Sequence, residues 1–252
     1  MIIPDPKPAS IKMSDYRIIA DYHTHTTFSH GKGSPRDNIL AAIDRGLETV
    51  AVTEHGPGHM TYGVRGKMLS LLNSDLLHLK KEYEGKINVL NGLELNVVDF
   101  GKADYISDRD AYDIIIIGYH KGVPPKNAFA RGIWRESLLG IKNDPHKSAE
   151  SILAAAEECR ANIISHPNLY VKVDIPYLAN GCRELGIMLE VNSTRVTLSD
   201  DEIRAIKDAG CQLVINSDAH SPERVGDFAL AAEAVTRAEA WDAVKNAVRS
   251  DN

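Results

Sequence analysis

The residues of this chain best equipped for chemistry are its histidines. There are ten, and seven of them stand where short apolar runs end. The first run closes in Asp21-Tyr22-His23-Thr24-His25. In an extended segment, residues two apart project from one side, so both imidazoles can reach a single cation. His30 follows in Phe28-Ser29-His30-Gly31, His55 in Thr53-Glu54-His55-Gly56, and His120 in Gly118-Tyr119-His120. His166 follows in Ser165-His166-Pro167, and His220 in Ser217-Asp218-Ala219-His220. Two carboxylates keep the same company: Glu94, closing Gly92-Leu93-Glu94, and Asp218. Any one such histidine is ordinarily a structural side chain, but nine donors sorted to the ends of runs are not explained that way.

Burying so many titratable groups together carries a heavy desolvation cost unless cations compensate it. Imidazole and carboxylate without thiolate select zinc, iron or manganese over an all-oxygen calcium or magnesium site. Nine donors exceed the needs of one ion that keeps a position open for catalysis, so two or three divalent ions are implied. The other histidines are given no ligand role: His78 falls inside a helical segment, His146 starts one, and His59 is placed near the mouth of the site. Cys159, Cys182 and Cys211 have no metal-ligand or disulfide spacing and read as small buried hydrophobes.

Such a constellation needs a scaffold that gathers strand ends. Strand-like runs rich in Val, Ile and Leu occupy Ile18 to Tyr22, Thr49 to Thr53, Ile87 to Leu95, Asp113 to Tyr119, Asn162 to Ser165, Ile187 to Val191 and Gln212 to Ser217. Segments of helical periodicity lie between them, among them Pro35 to Arg45, Lys67 to Tyr83, Ser148 to Cys159, Ile175 to Glu184 and Ser199 to Ala209. Ser34-Pro35 and the Ser199/Glu202 capping box mark helix starts, while Gly46 and Gly210 mark stops. The alternation predicts a parallel sheet covered by helices, closed or nearly closed into a seven-stranded barrel, with a doubly wound open sheet as the alternative. Active sites of such barrels sit at the C-terminal ends of the strands, where these donors fall. Only the sixth run, ending Leu189-Glu190-Val191-Asn192, offers no histidine. Two long connections, Gly56 to Gly66 and Lys121 to Pro145, are read as functional loops.

At 252 residues the chain fits one α/β barrel, and residues 1–16 read as an N-terminal arm ahead of a single domain over residues 17–252. Hydrophobic residues make up 43% and charged residues 25%, which suits a large core and excludes disorder. The net charge of −6 and the few aromatics argue against tracking a nucleic-acid backbone. Neither a secretory run nor a membrane-length apolar stretch is present, so a cytoplasmic location is expected.

Taken together, Asp21-Tyr22-His23-Thr24-His25, Thr53-Glu54-His55, Glu94, Gly118-Tyr119-His120, Ser165-His166-Pro167 and Ser217-Asp218-Ala219-His220 resemble the PHP (polymerase and histidinol phosphatase) family, in particular its stand-alone branch with three metals. The resemblance runs from about Asp21 to Asp227. It implies a distorted, TIM-like (β/α)7 barrel and three divalent ions, zinc first, with iron or manganese as alternatives. It also implies a division of ligands: His23, His25, Glu94 and Asp218 for one ion; Glu94 as bridge with His120 and His166 for a second; His30, His55 and His220 for a third. Some members of the family suggest a homo-oligomer. One departure is visible: Glu54 stands where the family often has Asp before His55, which puts its role in orienting His55 in question. Asp21 is a similar supporting carboxylate.

Clustered divalent ions lower the pKa of a bound water and clamp the oxygens of an in-line displacement, so the expected activity is hydrolysis of a small phosphate ester. Glu94 and Asp218 are then catalytic as well as metal-binding. For the phosphate oxygens, Arg195 and Arg131 are the preferred cations, with Lys121, Arg135 and Arg65 as further candidates. Two rival readings are an amidohydrolase-type metal hydrolase acting on C–N bonds, for which Lys121 would be the bridging ligand, and a metal-binding module without turnover.

Overall fold

Four consecutive isoleucines, Ile114 to Ile117, are all buried, and they show how the chain builds its sheet. Ile114 and Ile116 join Ala51, Ile163 and Val214 in a small cluster inside the barrel, whereas Ile115 and Ile117 pack outward against the helical layer. A strand apolar on both faces requires cover on both faces, which parallel strands with crossover helices provide. A computed structural model describes residues 15–104 and 108–250 and shows that arrangement.

The strands are β1 (Tyr16–Ile18), β2 (Ala20–Asp21), β3 (Thr49–His55), β4 (Asn88–Asp99), β5 (Lys102–Ala103), β6 (Ile114–Gly118), β7 (Ile163–Ile164), β8 (Met188–Asn192), β9 (Leu213–Asn216) and β10 (Ala247–Arg249). The helices are α1 (Pro35–Asp44), α2 (Lys67–Glu82), α3 (Ala128–Leu139), α4 (Pro145–Glu158), α5 (Ile175–Leu185), α6 (Asp200–Asp208) and α7 (Ala229–Arg237). The parallel sheet runs β2-β3-β4-β6-β7-β8-β9, the seven expected runs in sequence order, in one α/β domain. Helix ends follow local chemistry. Ser34 and Ser199 form capping boxes, Asp144 and Asp174 cap α4 and α5 ahead of proline, and Gly140 and Gly186 end α3 and α5 in the left-handed conformation.

Alternation along the strands sets the site. Inner-face positions run from apolar to polar toward the C-terminal ends: Ala51, Thr53, His55 on β3; Leu90, Gly92, Glu94 on β4; Met188, Glu190, Asn192 on β8; and Val214 and Asn216 on β9, followed by Asp218. His55 and Glu94 are direct partners across β3 and β4.

The barrel closes between β2 and β9 without a regular ladder. A parallel bridge joins Thr24 to Ala219, with the His25 N–H donating to the Ala219 carbonyl at 2.8 Å. Elsewhere side chains do the joining. The Asp21 carboxylate accepts from Ser217 Oγ (2.5 Å), the Ser217 N–H (3.1 Å) and the Gly226 N–H (2.9 Å). Buried Asn246 donates to the Ala20 and Ile215 carbonyls (2.8 and 2.6 Å) and accepts from the Ile215 N–H (3.0 Å).

Three features depart from the sequence reading. The connection from Lys121 to Pro145 contains α3, with Asn127 as its N-cap, so it is not an irregular loop. Residues 1–14 of the expected arm lie outside the described residues, but Tyr16 belongs to β1, which pairs antiparallel with β10 while the Tyr16 ring stacks on Trp241 at 5.1 Å. Finally, β4 runs past Leu95 to Asp99 and folds back as a short hairpin with β5. Among the described residues no helix is long and apolar enough to cross a membrane.

Replacing Asn246 with Ala leaves the Ile215 N–H and two carbonyls unpaired at the seam. A loss of about 2–4 kcal/mol in unfolding free energy is expected by urea denaturation. A change under about 0.5 kcal/mol, the scatter of ordinary surface substitutions, would show that closure does not rest on this amide.

Candidate metal centre

Glu94 is 1% exposed and faces five imidazoles. Its Oε1 lies 3.3 Å from His23 Nε2, 3.0 Å from His120 Nε2 and 2.8 Å from His166 Nε2. Its Oε2 lies 3.5 Å from His25 Nε2 and 3.0 Å from His55 Nδ1. Asp218 Oδ1 comes within 3.5 Å of His23 Nε2, 3.4 Å of His25 Nε2 and 3.6 Å of His220 Nδ1. The His30 ring packs on His55 (4.9 Å) and His220 (4.2 Å). All nine expected donors therefore gather at one end of the barrel. Gly118 makes room for them, since a Cβ there would stand 2.5 Å from Ser165 Oγ and 2.9 Å from His166 Cε1.

Several of these imidazoles have no hydrogen-bonding role of their own. His25 Nδ1, His55 Nδ1 and both ring nitrogens of His120 are buried without a hydrogen-bond partner. The short approaches of His55 and His120 to Glu94 thus lack hydrogen-bond alignment, although their distances are those of an ion pair. His23 Nε2 and His25 Nε2 meet at 3.1 Å. Unpartnered buried nitrogens around carboxylates suit a cation better than a hydrogen-bonded core. Three groupings bring donor atoms within 4.8 Å of one another: His23, His25 and Glu94; His55, Glu94 and His120; and His25, His55 and His220. The second differs from the expected second set by holding His55 in place of His166, and the last differs from the expected third set by holding His25 in place of His30.

The electrostatics divide the cluster. Burial opposes protonation of His23, yet Glu94, Glu190 and Asp218 hold its pKa well above the ordinary value. For His25 burial is likewise outweighed, by Asp218, Glu54 and Glu94, and the pKa rises to about 9. His166 is raised against burial by Glu94. On the other side, burial together with neighbouring imidazoles lowers His30 to about 3, His55 well below the ordinary range, and His220. Carboxylates that draw protons onto His23, His25 and His166 would equally favour divalent ions in place of those protons.

The sixth strand contributes after all. Fully buried Glu190 accepts from His23 Nδ1 at 2.8 Å and from the His166 N–H at 2.8 Å, and it is braced by Asn216 Nδ2 (2.9 Å) and Asn192 Nδ2 (3.0 Å). Its bond to His23 keeps a proton on Nδ1 and turns Nε2, the atom that an ion would take in place of a proton, toward Glu94. The signal in the sequence was a carboxylate inside a run otherwise buried on both faces. Glu54 is also buried, but it serves the first strand, not His55: it accepts from Thr26 Oγ1, the Thr26 N–H (2.9 Å) and Ser29 Oγ, and lies 3.8 Å from His25 Nδ1. Asp21 braces the seam and touches no imidazole nitrogen among the described contacts. His166 (φ 27°) and Asp218 (φ 51°) both hold left-handed backbone, a strain that this network over-determines.

The donors open into a cavity of about 350 Å3, walled also by His59, Thr61, Tyr62, Lys121, Leu169 and Tyr170. Tyr62 stacks on His30 (4.2 Å), Tyr170 stands 6.0 Å from His166, and the Lys121 ammonium lies 5.3 Å over the Tyr170 ring. Neither preferred arginine lines this cavity: Arg131 is exposed on α3, and Arg195 is exposed beyond β8, its charge felt by Tyr170. Arg65 is spent on the His59 and Met60 carbonyls (2.7 and 3.2 Å), and Arg135 is exposed on α3. His78 is exposed on α2 and His146 pairs with Asp174, as structural residues do.

A family model described as PHP domain matches residues 21–192, which carry most of these donors. The chain belongs to the PHP domain family. A protein named "Probable phosphatase" from Shewanella sediminis (strain HAW-EB3) is 27% identical over 240 residues, covering 88% of this chain and 87% of its own. The DNA polymerase/3'-5' exonuclease PolX of Bacillus subtilis (strain 168) is 26% identical over 246 residues, 93% of this chain but 39% of its own length. Among solved structures, histidinol phosphate phosphatase from Lactococcus lactis subsp. lactis Il1403, complexed with zinc, L-histidinol and phosphate, shares the fold at a TM-score of 0.60 and 18% identity. That match covers 89% of this chain and 94% of the other.

Glu190→Ala removes the hydrogen bond that orients His23. Divalent metal per chain, measured by elemental analysis after purification without added metal, is expected to fall, with affinity lowered about 10–100-fold. Unchanged metal content and affinity would show that Glu190 is only a packing residue.

Proposed function

We propose that this protein is a metal-dependent phosphatase that hydrolyses small phosphate monoesters at a trinuclear divalent centre, most simply of zinc. The observation that carries the reading is Glu94, a buried carboxylate with imidazoles on both oxygens, several of whose nitrogens are unpartnered, at the floor of an open cavity. His23, His25, Glu94 and Asp218 would hold one ion; Glu94, His120 and His166 a second; and His30, His55 and His220, with His25 close by, a third. When bound, such ions supply a water of lowered pKa and offset the charge that grows on phosphoryl oxygens.

The chain's own residues account for the rest. Glu94, lying between two sets of imidazoles, keeps them at a fixed spacing, while Glu190 and Glu54 hold His23 and the segment around His25 in place. Lys121 is the cation lining the cavity among the described residues, and its ammonium attracts an anionic ester as a point charge. Tyr62 and Tyr170 flank the cluster from its His30 and His166 sides and limit the room for the alcohol portion. A cavity of about 350 Å3 suits a small ester rather than a polymer. The exposed position of Lys121 and the central place of Glu94 favour this reading over a bridging lysine and C–N hydrolysis.

Metal-replete protein is expected to release inorganic phosphate from small phosphomonoesters in a colorimetric panel, and to leave amides and aminopurines untouched. Glu94→Gln is expected to cut kcat by at least about 100-fold, a loss near that of one strong electrostatic element, and to lower bound metal. Lys121→Ala is expected to keep its metals and raise KM. Loss of metal in Lys121→Ala, or turnover of amides alone, would overturn the proposal.

A further inference from the structure

His59 is the histidine in the cavity wall that is absent from the nine donors, and its surroundings are those of a positioned hydrogen-bond donor. It is 7% exposed and stacks on His55 at 4.9 Å. Its Nδ1 accepts the Tyr62 backbone N–H at 3.1 Å, so the ring proton of the neutral imidazole must sit on Nε2. Among the described residues Nε2 makes no hydrogen bond, and the ring that carries it lines the cavity. Backbone contacts hold the ring in place. Arg65 clamps the His59 carbonyl at 2.7 Å, the Gly63 N–H donates to the same carbonyl at 3.1 Å, and the Met60 N–H donates to the Gly122 carbonyl at 2.7 Å.

Gly122 supplies the second, independent observation. A Cβ built there would lie 2.1 Å from His59 Cε1, 2.2 Å from Nε2 and 2.7 Å from Nδ1, and its three nearest neighbours all belong to this ring. Real Cβ atoms do not approach so closely, so any larger residue at 122 must expel the imidazole. The backbone at Gly122 is not left-handed, so glycine is required there by the ring alone. Two loops from different strands are thus shaped around one imidazole that neither the expected ligand sets nor the core employs.

We infer that His59 is a substrate-contacting residue whose Nε2–H donates to a non-bridging phosphoryl oxygen of the bound ester, and that Gly122 exists to leave room for it. The inference rests on the phosphatase reading above. A neutral donor beside a crowded cation site adds directional recognition without further positive charge, a task that Lys121, a point charge on a long stem in the cavity wall, performs less selectively.

The test is a double-substitution cycle on the full-length, metal-replete protein, with p-nitrophenyl phosphate as substrate and inorganic phosphate as competing product. His59→Ala and Gly122→Ala are each expected to raise both KM and the phosphate inhibition constant about tenfold, as for loss of one hydrogen bond to a charged group. Metal content and Tm should remain at wild-type levels. In the His59→Ala background, Gly122→Ala should add nothing, because the ring it displaces is gone; His59→Gln, which keeps an N–H donor, should recover part of the loss. Loss of metal in His59→Ala would make His59 a ligand and overturn the inference. So would additive effects of the two substitutions, or a raised KM with an unchanged phosphate inhibition constant. Failure of the wild-type protein to hydrolyse any phosphomonoester would instead count against the phosphatase reading, and direct phosphate binding to the variants would still report on His59.

Discussion

The constraint on which the structure depends is the burial of Glu94 among five imidazoles. A carboxylate removed from water is stable only if positive charge surrounds it, and no lysine or arginine shares its immediate surroundings among the described contacts. Every other feature of the site answers that demand. Imidazoles arrive from both oxygen sides, Ser165 adds a hydroxyl donor at 2.9 Å, and Glu190 behind His23 fixes which of its nitrogens faces inward. A hydrophobic floor of Ala51, Ile114, Ile116, Ile163 and Val214 lies in the barrel interior, so the polar layer is confined to the one end where a ligand can enter.

The barrel supplies the geometry at little sequence cost. Period-two alternation assigns each inner position to floor or site, and the direct pairing of His55 with Glu94 across β3 and β4 follows from register alone. Loops then tune what the strands place. The segment from Gly56 to Gly66 is fastened by the Gly58 N–H to buried Asp104 at 2.7 Å, and Asp104 in turn holds Asn96, two residues beyond Glu94. The wall bearing His59 and Tyr62 is therefore fixed relative to the floor bearing Glu94.

Much of this was legible in the sequence, because strand-end histidines are both chemically distinctive and topologically placed. Seven parallel strands, and the convergence of His23, His25, His30, His55, His120, His166 and His220 with Glu94 and Asp218, follow from short apolar runs and their final residues. What escaped depends on tertiary approach. Glu190 looks like one polar residue in a strand until His23, far away in sequence, is seen against it. Glu54 neighbours His55 in the chain, but strand alternation turns it to the opposite side, toward Thr26 and Ser29. Arg131 and Arg195 carry the right charge, but charge alone does not say where a long side chain on a loop or surface helix will end. The helix α3 was hidden by the glycines and prolines that bound it.

The join between β2 and β9 gives the site a second meaning. Here the sheet is held by one bridge and by the side chains of Asp21, Asn216 and Asn246 rather than by a continuous ladder. His23 and His25 leave one lip of that gap, and Asp218 and His220 leave the other. An ion gripped by both lips would act as a rivet across that gap, tying the two ends of the sheet together.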